Sequence, residues 1–266
     1  LVLRQHDRGR ERRRRAADGG ACARERTIGL GLPEQAREQE AGEPEQVDDG
    51  LVEGLDAHGA VGADADGDAY RAHLAAEGVD ASHVATIAGA STGAAFICVD
   101  DRGQNQIVVA AGANGNVSAE HAGRAVTALA PAAKVLLAGL ECPVAAAVAA
   151  LRAAAAAGMP TLLNPSPVAR NFPWGEVPID TVIVNERECA EIFGRPQPAE
   201  LARRKVTNLI VTRGAEPTLW INASGRREFP AHPVRPVDTV GAGDAFAGTL
   251  AARLAEGDDF PRAIAA

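Results

Sequence analysis

The sequence predicts an α/β protein built on a doubly wound, mostly parallel sheet with helices on both faces. Three observations carry that expectation. From residue 60 onward, strand-like and helix-like stretches alternate along the chain. The strand-like stretches are short continuous apolar runs, as expected for strands buried on both sides. Near the end, Pro236-Val237-Asp238-Thr239-Val240-Gly241-Ala242-Gly243-Asp244-Ala245-Phe246-Ala247-Gly248 sends a turn of small residues straight into a helix. A chain of 266 residues is long enough to bury a core of this kind.

The elements follow in order. Gly62-Ala63-Asp64-Ala65-Asp66-Gly67 forms an acidic turn before a short helix from Asp68 to Glu77. The turn is similar to a calcium loop, but Ala69 and Ala75 stand where such a loop needs glycine and glutamate. Thr92 to Val99 and Gln106 to Ala110 flank Asp100-Asp101-Arg102-Gly103, a hairpin pattern. Ser118 to Leu129 reads as a helix and Val135 to Ala138 as a buried strand. Pro143 opens an alanine-rich helix to Ala157, which Gly158 stops. Strands at Thr161 to Leu163, Thr181 to Val184 and Leu209 to Val211 follow. Ligands of such sheets bind at the carboxyl ends of the strands.

The last helix carries the sharpest chemical signal. Phe246, Leu250 and Leu254 recur at helical spacing and pack it down. Gly241 and Gly243 clear side chains from its start, where free backbone N–H groups attract an anion. Asp244 would repel a resident phosphate. It suits a transient anion if its carboxylate takes a proton from an attacking hydroxyl. The alternative is an ordinary capped helix start.

Composition excludes several classes. A net charge of −8 opposes general nucleic-acid binding. No apolar run reaches the ~18 residues of a membrane span. Cys22, Cys98, Cys142 and Cys189 are scattered without metal spacing, which fits a cytoplasmic location. Neither Lys134 nor Lys205 follows a glycine, so no G-x-x-x-x-G-K-S/T phosphate loop exists. A G-x-G-x-x-G dinucleotide fingerprint is absent too.

The run from Asp238 to Gly248 resembles the D-T-x-G-A-G-D-x-F-x-G signature of the ribokinase-like (PfkB) family of carbohydrate kinases. Other stretches resemble the same family. Ser91-Thr92-Gly93-Ala94-Ala95-Phe96, Asn105 to Val109 and Ala111-Gly112-Ala113-Asn114 are similar to its lid hairpin (about residues 91–110) and the exit from it, in wording closest to its ribokinase branch. Asn164-Pro165-Ser166-Pro167 is similar to its Asn-Pro-x-Pro loop, and Asn185-Glu186-Arg187-Glu188 to its N-x-x-E. Thr212-Arg213-Gly214 resembles its nucleotide loop, with Pro217 where a second glycine is usual.

The resemblance implies a small β lid, here incomplete, and transfer of the ATP γ-phosphoryl group to a sugar hydroxyl, ribose to ribose 5-phosphate. Another sugar or a nucleoside, or a truncated remnant without catalysis, are the alternatives. It makes Asp244 the base, with Gly241, Ala242 and Gly243 forming the anion hole and Asp244 also touching the sugar. Glu141 would contact sugar hydroxyls; otherwise it is a solvent-exposed or capping acid. Asn185, Thr212 and Gly214 would hold the nucleotide, and Glu188 would organise Mg²⁺ through water. The other reading of Asn185 to Glu188 is a helix start with favourable acids. Asp238 would serve a monovalent cation such as K⁺. Family members often dimerise through the lid.

Residues 1–59 have a different character. Residues 1 to 26 hold nine arginines, and residues 34 to 56 hold nine acids with one arginine. No aromatic of the Phe, Tyr or Trp type precedes Tyr70. Such composition predicts disorder or loose helix; a basic nucleic-acid arm is opposed by the neighbouring acids. The family's first strand and its G-G-K-G-A-N stretch are missing here, so a frameshifted reading of that region is expected. Resemblance resumes at Val61-Gly62-Ala63-Asp64, making residues 60–266 the kinase domain, short at its C-terminus.

Overall fold

The computed structural model describes residues 2–4, 54–99, 105–234, 239 and 241–266. They belong to one compact unit, Leu1–Gln5 with Val52–Ala266. The elements run β1 (Val2–Arg4), β2 (Leu55–Gly62), α1 (Ala65–Ala76), β3 (Val79–Ile87), β4 (Ala94–Val99) and β5 (Asn105–Ala110). A 3-10 turn at Gly112–Asn116 leads to α2 (Ala119–Leu129), β6 (Ala133–Gly139), α3 (Val144–Ala156), β7 (Thr161–Asn164) and β8 (Ile179–Asn185). The chain continues through α4 (Glu186–Ile192), α5 (Pro198–Arg203), β9 (Val206–Arg213), β10 (Glu216–Asn222), β11 (Gly225–Phe229), α6 (Ala242–Ala255) and α7 (Phe260–Ala265).

Nine strands form one sheet in the order β11-β10-β9-β8-β7-β6-β1-β2-β3, and β4 with β5 forms a separate two-stranded sheet. The centre, β6 to β9, is parallel, as is the β2–β3 pair. Antiparallel strands are added at β10 and β11, and β1 lies antiparallel between β2 and β6. At the β9–β10 turn the register shifts between Glu216 and Leu219. Pro217 sits there and has no N–H to give the ladder, which accounts for the irregularity.

The doubly wound expectation is met residue by residue. Val135, Leu162, Ile183 and Ile210 point to one face and pack with Ala247, Leu250 and Ala251 of α6 and Ile264 of α7. Their neighbours Leu136, Leu163, Val182 and Leu209 point to the other face, in a cluster with α2 and α3 through Val126 and Leu151. Period-two alternation in strands that are apolar throughout demands cover on both sides. Leu163, Val182, Leu209 and Ile210 are fully buried.

Boundaries differ from expectation where polar caps decide. Helix α1 starts three residues before Asp68, because Asp64 caps it by accepting from the Gly67 N–H at 2.9 Å. The acidic turn is therefore a helix cap. The boundary expected at residue 59 falls inside β2, so Leu55 to Gly59 belong to the sheet. The expected disorder or frameshift of the remaining upstream segment lies, for residues 5–53, outside the described residues.

Candidate active site

The strand ends supply the site. Asn164 closes β7 beside Gly139 of β6, and Asn185 closes β8 beside Thr212 of β9. Parallel neighbours end on the same side of the sheet, so the candidate side chains converge there. Together with Glu141 after β6 and the start of α6, these residues line a cleft of about 750 Å³.

Asn185 and Glu188 hold each other. The Asn185 side chain accepts from the Glu188 N–H at 2.9 Å, and a Glu188 carboxylate oxygen accepts from the Asn185 N–H at 2.9 Å. This reciprocal cap fixes both side chains at the first turn of α4. The favourable-acid reading is correct locally, and it leaves the second Glu188 oxygen outside the pair. Thr212 stays close to the β8 end through a long contact of 3.4 Å from its hydroxyl to the Val184 carbonyl.

Helix α6 begins at Gly241, whose φ of 77° lies in the left-handed region that glycine adopts readily. The Ala242 N–H donates back to the Thr239 carbonyl at 3.2 Å. Gly243 and Asp244 are the next two residues, and first-turn N–H groups have no intrahelical acceptor. Gly241, Gly243 and Asp244 all line the cleft, and Asp244 is exposed. Ala242 is not among the lining residues, and neither is Gly214, which takes a φ of 59° in the turn after β9. Asp238 lies outside the described residues.

Glu141, Glu188 and Asp244 bring three carboxylates to the cleft, while no Lys or Arg lines it among the described residues. A polyphosphate entering such a place needs a cation with it. The oxygen donors at the start of α4, the Glu188 carboxylate and the Asn185 amide, suit Mg²⁺. No group of three or more His, Cys, Asp or Glu that could hold a metal occurs among the described residues. A largely hydrated Mg²⁺ held by one or two side chains fits that arrangement.

Two further lining residues carried no signal in the sequence. His58 of β2 is held at a pKa of about 4, mainly by burial and then by His121, whose ring centre is 4.9 Å away. It is neutral near pH 7 and adds no positive charge. Burial likewise raises the Cys142 thiol beside Glu141. Their place in the cleft is legible only from the fold, since each stands alone in the sequence.

Residues 52–266 match the family model for the pfkB family of carbohydrate kinases. Ribokinase of Staphylococcus aureus is 32% identical over 191 residues, covering 68% of this chain and 62% of that protein. Deoxyribokinase of Salmonella typhimurium is 29% identical over 202 residues, covering 72% of this chain and 66% of that protein. The crystal structure of ribokinase from Cryptococcus neoformans in complex with ADP superposes with a TM-score of 0.63 at 28% identity, covering 79% of this chain and 73% of that one. The chain thus spans less than two thirds of the length of the S. aureus relative. The signature at α6, the converging strand ends and the family match agree: this chain belongs to the pfkB family of carbohydrate kinases.

Proposed function

We propose that this chain carries the catalytic half-site of an ATP-dependent sugar kinase, with ribose as substrate and ribose 5-phosphate as product. The observation that carries the reading is Asp244 in the first turn of α6, facing the same cleft as Asn185, Glu188 and Thr212. Asp244 accepts the proton of the sugar hydroxyl, whose oxygen attacks the γ-phosphorus in line. The bond from that phosphorus to the β–γ bridging oxygen breaks, and ADP departs with the electron pair. The N–H groups of Gly243 and Asp244, at the positive end of α6, stabilise charge on the transferring group. The left-handed Gly241 aims them.

Asn185 and Thr212 hold the nucleotide from adjacent strand ends, and Glu141 orients sugar hydroxyls from the loop after β6. Asn185 and Glu188 would hold Mg²⁺ through water; when bound, the ion supplies neutralisation of the phosphates. Gly214 bends the nucleotide turn. Asp238 is given to K⁺ on the resemblance of its motif. A second sugar, deoxyribose, is favoured by the likeness to a deoxyribokinase. Free thiols at Cys142 and Cys189 support a cytoplasmic setting. Phe96, Val108 and Val109 stand exposed on the two-stranded lid, and so small a sheet is marginal alone. That supports pairing of two lids in a homodimer.

The test is ADP release with a panel of sugars, beside the variant Asp244→Asn. We expect turnover to fall by about 10²- to 10⁴-fold with the melting curve unchanged. Parent-like turnover in Asp244→Asn refutes the role of base. Ribose and deoxyribose in parallel decide between the two sugars.

A further inference from the structure

The lid hairpin rises from the cleft rim on two legs, Ser91 to Gly93 into β4 and Ala111 to Asn114 out of β5, and polar side chains fasten the legs to the end of β2 and to Asp64 just after it. On the incoming leg, the Thr92 hydroxyl accepts from the Gly62 N–H at 3.0 Å and donates to Asp64 at 2.5 Å. The Thr92 N–H donates to the other Asp64 oxygen at 2.7 Å. Asp64 is itself fixed by the Gly67 N–H, as the cap of α1. On the outgoing leg, the Asn114 side-chain oxygen accepts from the Ala60 N–H at 3.2 Å. Residues 60 and 62 are two apart on β2, so their N–H groups leave the strand on the same side. The legs also touch each other: the Ala113 N–H donates to the Ser91 carbonyl at 2.8 Å.

Glycines make this junction close. A Cβ at Gly62 would stand 2.4 Å from the Ala90 carbonyl oxygen, and one at Gly112 2.5 Å from the Ser91 oxygen. Gly93 faces the Ala111 oxygen at 2.8 Å in the same sense. Thr92, Gly93 and Asn114 line the cleft. Backbone contacts this tight, with side-chain bonds to the end of β2 and to the α1 cap that follows it, give the hairpin a defined pivot.

We infer that Asp64, Thr92 and Asn114 are positioning residues that set the angle of the lid over the cleft, and act on sugar binding through that angle. The functional half of this inference rests on the kinase reading above; the structural half does not. The experiment is amide hydrogen exchange on the chain, compared among the parent, Thr92→Val, Thr92→Ser and Asn114→Leu. Valine keeps the branched shape and removes the hydroxyl. We expect amides of 94–99 and 105–110 to exchange about tenfold faster in Thr92→Val and in Asn114→Leu, with β7 to β9 unchanged. Thr92→Ser should restore the parent rate. Unchanged lid exchange in both disrupting variants overturns the pivot, as does equal acceleration in β7 to β9, which would mean general loosening. Turnover supplies the second arm: KM for the sugar should rise in Thr92→Val while kcat stays near the parent value, and a fall in kcat alone overturns action through the lid. A parent chain without ATP-dependent turnover would remove the kinase reading and leave the exchange result standing.

Discussion

The two halves of the sheet are held by different means. Strands β6 to β9 bury leucine, isoleucine and valine on both faces, in two clusters. The β2 side relies on a cluster of Ala60, Ala113, Val117, Ala122 and Ala146. Four of those five are alanine, and an alanine gives little apolar area to bury. Specific polar bonds take over there: Thr92 to Gly62 and Asp64, and Asn114 to Ala60. Strand β3, half-exposed along most of its length, forms the sheet edge on that side. One half is fixed by volume, which tolerates rearranged detail. The other is fixed by geometry, which leaves room for movement at modest cost, and the lid stands on it.

The contrast breaks most readily on the apolar side. Leu163→Ala opens a void at a fully buried position and should cost about 2–5 kcal/mol, read as a lower midpoint in a urea melt. A loss well under that range would mean the β6–β9 half can close around the gap. Asn185→Ala comes next. Losing the reciprocal cap should cost about 1 kcal/mol in the same melt and lower turnover further than the stability change explains. Full turnover in this variant would confine Asn185 to capping.

The smallest effect belongs to the clasp and concerns pH. Bonds from Thr92, and then from Gly67, hold the Asp64 carboxyl below its usual value. Its contribution is therefore complete above the unfolded-state pKa, about 3.9, and is lost as pH falls from there through the folded value. Pepsin cleavage within 94–110 should accelerate across that acid window before cleavage in β7 to β9. In Asp64→Asn the onset should vanish. Simultaneous cleavage of lid and core would show that the two halves do not differ in this respect.

What could be read from the sequence follows the same division. The central strands were visible because apolar runs such as Thr161 to Leu163 announce burial on both sides. Strand β11 carries no such signal: Arg226, Arg227 and Glu228 give an edge strand no apolar pattern. Asp244, Asn185 and Glu188, which line the cleft, carry local signals in the sequence, a helix start or a cap three residues long. Ala242 and Gly214 belong to the right motifs but do not line the cleft. The Asp64–Thr92 clasp joins residues 28 apart by side chains that look like ordinary turn residues. Nothing in the order of residues links them before the sheet does.

The alternation of faces in β7 and β8 has a consequence for how such a site can change over generations. Asn164 and Asn185 are the last residues of strands whose inward and outward positions are already committed to two separate cores. Replacing Asn164 alters chemistry and leaves the strand cores alone, and replacing Asn185 adds only the loss of its cap on α4. Inserting or deleting one residue within Thr161–Asn164 would exchange the roles of Leu162 and Leu163 and turn the terminal side chain away from its partners. Residue type at the strand tip is thus open to variation, whereas strand length is held to steps of two. The cleft can acquire new preferences by substitution far more easily than by resizing the strands that present it.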